Sequence, residues 1–112
     1  MKVLVVDDEQ PALERLASMV EVIEGFEVCA LATNGVEALE HCQAERPEIV
    51  LLDIRMPGMD GMEAAKYFLR LRPAPAVIFV TAYSDHALEA FALHAMGYLV
   101  KPVRQQELEQ AL

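Results

Sequence analysis

The sequence has no apolar run long enough to cross a membrane: its longest, such as Ala76–Val80, hold about five residues against the roughly 20 that a helical span needs. The opening Met1-Lys2-Val3-Leu4-Val5-Val6 begins like a secretory leader, but Asp7-Asp8-Glu9 interrupts it far short of one. The expectation is a cytoplasmic chain with no membrane partner. Cysteine is scarce as well. Cys29 and Cys42 form no Cys-x-x-Cys pair and have no histidine at zinc spacing, so both read as reduced core residues. Positive charge is the third shortage. With 9 Lys+Arg against 18 Asp+Glu the formal charge is −9, which opposes attraction to polyanions, so direct DNA contact by this segment is not expected.

What is present points to one α/β domain. A chain of 112 residues holds a single hydrophobic core but not two domains. The runs Val3–Val6, Val28–Ala32, Ile49–Leu52, Ala76–Val80 and Tyr98–Val100 are short, continuous and rich in β-branched residues, as in parallel strands buried on both faces. Between them apolar residues recur at helical spacing: Leu13, Leu16, Val20 and Ile23; Val36, Leu39 and Cys42; Met62, Ala65 and Leu69; Leu88, Phe91 and Ala95. Pro11 suits a first helical turn, Asn34-Gly35 and Asp60-Gly61 are turn dipeptides, and Pro47 and Pro73 stop the helices before them. Five strand-helix units with right-handed crossovers give a doubly wound, three-layer fold with a five-stranded parallel sheet. Arg104–Leu112 has no glycine or other C-cap. It reads as a truncated final helix, with the natural protein continuing beyond residues 1–112.

Position carries the chemical signal. Asp7-Asp8 ends the first strand, Asp53 the third, Thr81 the fourth and Lys101 the fifth, and ligands of open α/β sheets bind at carboxyl ends of strands, where strand order reverses. In the order 2-1-3-4-5 the first and third strands flank that point, so Asp7, Asp8 and Asp53 share one crevice. Three carboxylates that close demand either a retained proton or a cation. An all-oxygen set without histidine or thiol favours Mg²⁺, which keeps several waters and completes its shell with phosphate oxygens. Lys101 adds a second positive charge and the Thr81 hydroxyl a hydrogen-bond donor, together a cradle for a phosphoryl group.

The segments Val6-Asp7-Asp8-Glu9, Leu52-Asp53-Ile54-Arg55-Met56-Pro57-Gly58-Met59-Asp60-Gly61, Val80-Thr81-Ala82 and Val100-Lys101-Pro102 occur in the order of the signatures of response-regulator receiver domains, which the chain resembles over nearly its whole length. The resemblance implies a CheY-like, flavodoxin-like (βα)5 fold and a bacterial two-component signalling role. It implies Asp53 as the phosphoacceptor for a sensor histidine kinase, Asp8 and Asp53 as direct Mg²⁺ ligands with the Arg55 backbone carbonyl, and Asp7 as a ligand through water. Thr81 and Lys101 would bind the phosphoryl group, Tyr98 would be the aromatic switch residue that follows Thr81, and a cis bond before Pro102 would aim Lys101 into the crevice. The stretches Ala82–Phe91 and Gly97–Pro102 further resemble the LytR/AlgR family, whose receivers precede a LytTR-type DNA-binding domain, absent from this chain. The family also implies a phosphorylation-promoted homodimer through the fourth helix, fifth strand and fifth helix, with Leu88, Leu93, Tyr98 and Leu108 contributing.

Other readings fit less well. Haloacid-dehalogenase-like phosphatases open their motif Asp-x-Asp, but Arg55 stands where the second aspartate, the general acid, would be; turnover of an external substrate is therefore not expected. A flavodoxin-type phosphate loop would place Ser, Thr and Gly where Asp7-Asp8-Glu9 stands. A receiver that is never phosphorylated would not need the intact acidic set. Arg55 and Tyr83, two places after Asp53 and Thr81, are bulky enough to shield an acyl phosphate. His41, His86 and His94 lie on polar or mixed helix faces and read as solvent-exposed, Met56, Met59 and Met62 as local packing or a partner surface, and Phe91 as core.

Overall fold

The computed structural model describes residues 1–112. Strands and helices alternate throughout: β1 (Lys2–Val6), α1 (Gln10–Glu21), β2 (Glu27–Ala32), α2 (Gly35–Glu45), β3 (Ile49–Leu52), α3 (Gly61–Phe68), β4 (Ala76–Thr81), α4 (Ala87–Ala92), β5 (Gly97–Val100) and α5 (Gln105–Ala111). All four strand pairings are parallel, in the order β2-β1-β3-β4-β5. The doubly wound fold read from the sequence is the observed one.

Side-chain alternation on the central strands divides the core into two layers. Leu4 and Val6 of β1, Val50 and Leu52 of β3, and Val77 and Phe79 of β4 pack under α2, α3 and α4 with Cys42, Met62, Phe68 and Ala90. Val3, Val5, Leu51, Ile78 and Val80 face the other way, against Leu13, Leu16 and Val20 of α1 and Leu108 of α5. The expectation of burial on both faces holds for β1, β3 and β4 but not for β2 and β5. These are edge strands, each paired on one side only, and most of their residues are half-buried or exposed.

The two predicted turn dipeptides begin helices. Asn34 Oδ1 accepts the Glu37 N–H at 2.8 Å and caps α2, while Asp60 Oδ1 accepts the Glu63 N–H at 2.9 Å and caps α3. Each cap satisfies a donor that the first turn leaves without a partner and stabilises by about 1 kcal/mol. Gly61 follows because nothing larger fits: a Cβ there would stand 2.0 Å from the Asp53 carbonyl oxygen. That close approach folds the β3–α3 loop back over the end of β3.

Several burial expectations are corrected. Val36 is exposed; α2 buries Cys42 as expected, together with Gly35 and Ala38, and Leu39 is half-buried. Phe91 is not core: it is 81% exposed, and Leu88 is also exposed. The reason is that α4 spans six residues and buries only Ala90, so its inward stripe is offset from the Leu88-Phe91 spacing. Leu108 is fully buried against α1 and is unavailable to a dimer surface. His94 is exposed, whereas His41 and His86 are half-buried, His86 lying 3.1 Å from Glu89. Both cysteines are free, Cys42 buried and Cys29 half-buried. No helix is long and apolar enough to cross a membrane.

Candidate functional site

Register brings the acidic residues together. Val6 of β1 pairs with Leu52 of β3, so the next residues, Asp7 and Asp53, leave the sheet side by side, and the Asp53 N–H donates to the Val6 carbonyl at 3.0 Å. Thr81 and Val100 pair at the same edge, and the Lys101 N–H donates to the Thr81 carbonyl at 2.7 Å. Asp7, Asp53 and Thr81 are the only polar or charged residues among the buried ones. Burying such groups is costly unless they are paired, so their clustering at one edge of an otherwise apolar core marks a site.

The pairing is as follows. Asp7 Oδ1 accepts the Glu9 N–H at 3.0 Å and its Oδ2 accepts from Lys101 Nζ at 2.6 Å. Asp53 Oδ1 accepts the Ile54 N–H at 2.7 Å and its Oδ2 accepts from Lys101 Nζ at 3.2 Å. Asp8 is exposed, and Asp7, Asp8 and Asp53 each offer an oxygen, all lying within 4.8 Å of one another. The Lys101–Pro102 peptide bond is cis. Burial pushes the Asp53 carboxyl above its ordinary range, partly offset by the Lys101 charge and reinforced by Asp7. Burial works against the Lys101 ammonium, yet its bond to Asp7 and the charges of Asp53 and Asp7 carry its pKa above the ordinary lysine value.

One ammonium thus bonds two carboxylates beside a third, Asp8, and the excess negative charge suits a hard divalent cation. The donors are all oxygen, with no histidine or thiol among them, which fits Mg²⁺ rather than zinc or copper.

A family model described as "Response regulator receiver domain" matches residues 3–112. The chain belongs to that family. Among curated relatives, the receiver is 52% identical to the positive alginate biosynthesis regulatory protein of Pseudomonas aeruginosa over 113 residues, covering 100% of this chain and 46% of that protein. It is 38% identical to the sensory transduction protein LytT of Bacillus cereus, covering 100% of this chain and 46% of the relative. The receiver therefore spans about half the length of these relatives, and they place it with LytR/AlgR-type receivers. Among solved structures, the response regulatory domain of mrkE from Klebsiella pneumoniae superposes with a TM-score of 0.92 at 30% identity, covering 99% of this chain and 91% of that one. CheY in a CheX-CheY-BeF3-Mg complex from Borrelia burgdorferi gives 0.90 at 27% identity, covering 99% and 85%. Receiver domains of response regulators are two-component signalling modules rather than substrate-turnover enzymes.

Around the receiver's acidic cluster, the remaining predicted residues form a second layer. Thr81 Oγ1 accepts the Tyr83 N–H at 3.3 Å, so its hydroxyl hydrogen stays free to donate. The Arg55 guanidinium lies 4.2 Å from the centroid of the Tyr83 ring, a cation–π contact between the β3–α3 and β4–α4 loops. Sequence reasoning singled out both side chains for their bulk but not this contact, which no local pattern encodes. Tyr98 packs obliquely on Phe79 with ring centroids 6.1 Å apart and donates its hydroxyl to the Tyr83 carbonyl. It thereby ties β5 to the loop that follows Thr81. Met56 and Met62 are buried and Met59 is half-buried, which favours local packing over a partner surface. Gly61 shapes the site as well as the turn; the Asp60-Gly61 dipeptide is its only signal in the sequence.

Proposed function

We propose that this receiver is phosphorylated on Asp53 by a sensor histidine kinase in a Mg²⁺-dependent reaction and passes that state to a transcriptional output domain. The observation that carries the reading is the buried Asp53 carboxylate, with Asp7 and Asp8 oxygens within 4.8 Å and Lys101 Nζ at 3.2 Å. Asp8 and Asp53 would hold Mg²⁺ directly with the Arg55 backbone carbonyl, and Asp7 would hold it through water. When bound, the ion neutralises the carboxylates and stabilises charge on the transferring phosphoryl oxygens.

Asp53 attacks the phosphorus of the kinase phosphohistidine in line; the new O–P bond makes an acyl phosphate as the P–N bond breaks and the imidazole departs. Lys101 balances the phosphoryl charge and the Thr81 hydroxyl donates to a phosphoryl oxygen. Hydrolysis of the acyl phosphate restores Asp53, and the Arg55–Tyr83 pair limits the access of water. The domain is substrate and catalyst together, with no turnover of an external substrate.

Tyr98 reports the state. Movement of Thr81 toward the phosphoryl group draws the β4–α4 loop, to which the Tyr98 hydroxyl is bonded, and changes the α4–β5–α5 face. That face supports a phosphorylation-promoted homodimer, since Leu88 is exposed and Leu93 and Tyr98 are half-buried there. DNA is contacted by an output domain of the LytTR type and not by residues 1–112, consistent with the −9 charge. The chain acts in the cytoplasm.

Intact-mass measurement after incubation with acetyl phosphate and Mg²⁺ tests the reading. Wild type gains one phosphoryl group and Asp53→Asn gains none. A gain of equal size in both would refute Asp53 as the acceptor.

A further inference from the structure

The receiver carries a cavity at the amino-terminal edge of the sheet, the edge opposite the acidic cluster. It has a volume of about 360 Å³ and lies between the end of α2, the start of β3 and the α3–β4 loop. That size falls at the lower end of the range of small-molecule sites, roughly 300–1,000 Å³. Arg46, Arg72, Gln43 and Glu48 line it, with Pro47 and Pro75, both buried, among its walls.

We propose that this cavity binds a small molecule bearing a carboxylate or phosphate group, held by Arg46 and Arg72. The charge distribution is the first argument. In a chain with twice as many acids as bases, every ion pair of the fold is made by Lys2, Lys101 or His86. Neither arginine of the cavity is neutralised by a carboxylate. Glu48 is the one acid in the lining, and its Oε1 accepts the Lys2 N–H at 3.1 Å. Cys42 adds no charge, because burial pushes its thiol up. The lining therefore holds two arginines without an ion pair and one carboxylate that already has a donor.

Backbone geometry is the second argument. Arg46 closes α2 at φ 49°, its N–H donating to the Cys42 carbonyl at 3.0 Å. Helices commonly place glycine or asparagine at such a left-handed position, since a longer side chain there strains the backbone. Here an arginine occupies it, at the rim of the cavity and exposed to solvent. Arg72 is set in place differently: its Nη1 donates to the carbonyls of Leu71 at 2.9 Å and Leu69 at 3.4 Å. One side of that guanidinium is anchored and the other N–H groups remain for a planar oxyanion, the geometry in which arginine outperforms lysine.

The test is an amide-shift NMR titration of the 112-residue chain in EDTA, with inorganic phosphate in one arm and citrate in the other. The expected result is a saturable shift of amides in residues 42–48 and 71–76 in at least one arm, and the responding arm assigns phosphate or carboxylate. Arg46→Gln and Arg72→Gln together weaken binding at least about tenfold, while phosphorylation by acetyl phosphate and Mg²⁺ is retained as proof of folding. No saturable shift in either arm, equal affinity in the double variant, or shifts centred on Asp8, Asp53 and Lys101 would each overturn the proposal. Because phosphorylation is read separately, failure here leaves Asp53 as acceptor, and failure of Asp53 leaves this cavity.

Discussion

Lys101 makes its shorter hydrogen bond to Asp7, at 2.6 Å, and not to Asp53, at 3.2 Å. The ammonium is thus anchored by a fully buried carboxylate that is not the proposed acceptor, and reaches Asp53 with a weaker contact. A lysine held in this way keeps its place when the charge on Asp53 changes. It also holds the ends of β1, β3 and β5 together, so its removal has a structural cost as well as a chemical one.

Lys101→Ala leaves Asp7 and Asp53 buried without their cation and lowers stability by about 3 kcal/mol, read as a drop in denaturation midpoint. The folded pKa of Lys101 is raised, so its contribution is complete below the unfolded value of about 10.4 and is lost as pH rises through the folded value. Wild type and variant therefore converge in strong alkali. A constant difference across that range would contradict the pairing.

Asp53→Asn stabilises the fold in EDTA. The folded pKa of Asp53 lies above its unfolded value because burial disfavours the charge. Its ionisation is thus penalised in the folded state, with no penalty below about pH 3.9 and the full penalty above the raised folded pKa. The variant is more stable at pH 7 by on the order of 1 kcal/mol and gains nothing at pH 3. Mg²⁺ narrows the gap by stabilising wild type, and thermal melts at the two pH values, with and without the ion, check each step.

Gly61→Ala forces a methyl group to within 2.0 Å of the Asp53 carbonyl oxygen. Backbone has to move, at roughly 3 kcal/mol, the upper end of overpacking costs. Because the loop that moves also carries Arg55, the variant loses Mg²⁺-dependent phosphorylation along with stability. Melting and intact-mass assays read the two losses; retention of both properties would show that the loop has slack.

Phe91→Ala changes stability by less than about 0.5 kcal/mol, since the ring is exposed. Phe79→Ala removes a fully buried ring from the sheet centre and costs about 3–5 kcal/mol. Denaturant midpoints of the two variants separate these cases.

Tyr98→Phe deletes one hydroxyl bond, worth about 1 kcal/mol at most. If Tyr98 reads the state of Asp53, the variant still gains the phosphoryl mass but sediments as a monomer. Dimerisation equal to wild type would remove Tyr98 from the switch.

The sequence by itself determined the class of fold and which polar residues meet at its carboxyl edge. Short β-branched runs alternating with helical spacing admit few packings, and chain order with right-handed crossovers brings strand ends to one side, so Asp7, Asp8, Asp53, Thr81 and Lys101 were legible as a group. Only the tertiary structure decided which side of each short element faces inward. Six residues of α4 make fewer than two turns, so a stripe through Phe91 and one through Ala90 are equally consistent with local spacing, and the neighbouring strands select the second. Burial of Leu108, the partial burial of β2 and β5, the preference of Lys101 for Asp7, the Arg55–Tyr83 contact and the arginine-lined cavity have the same origin. Each depends on segments distant in sequence, whose approach is set by packing across the sheet and not by any pattern within one segment.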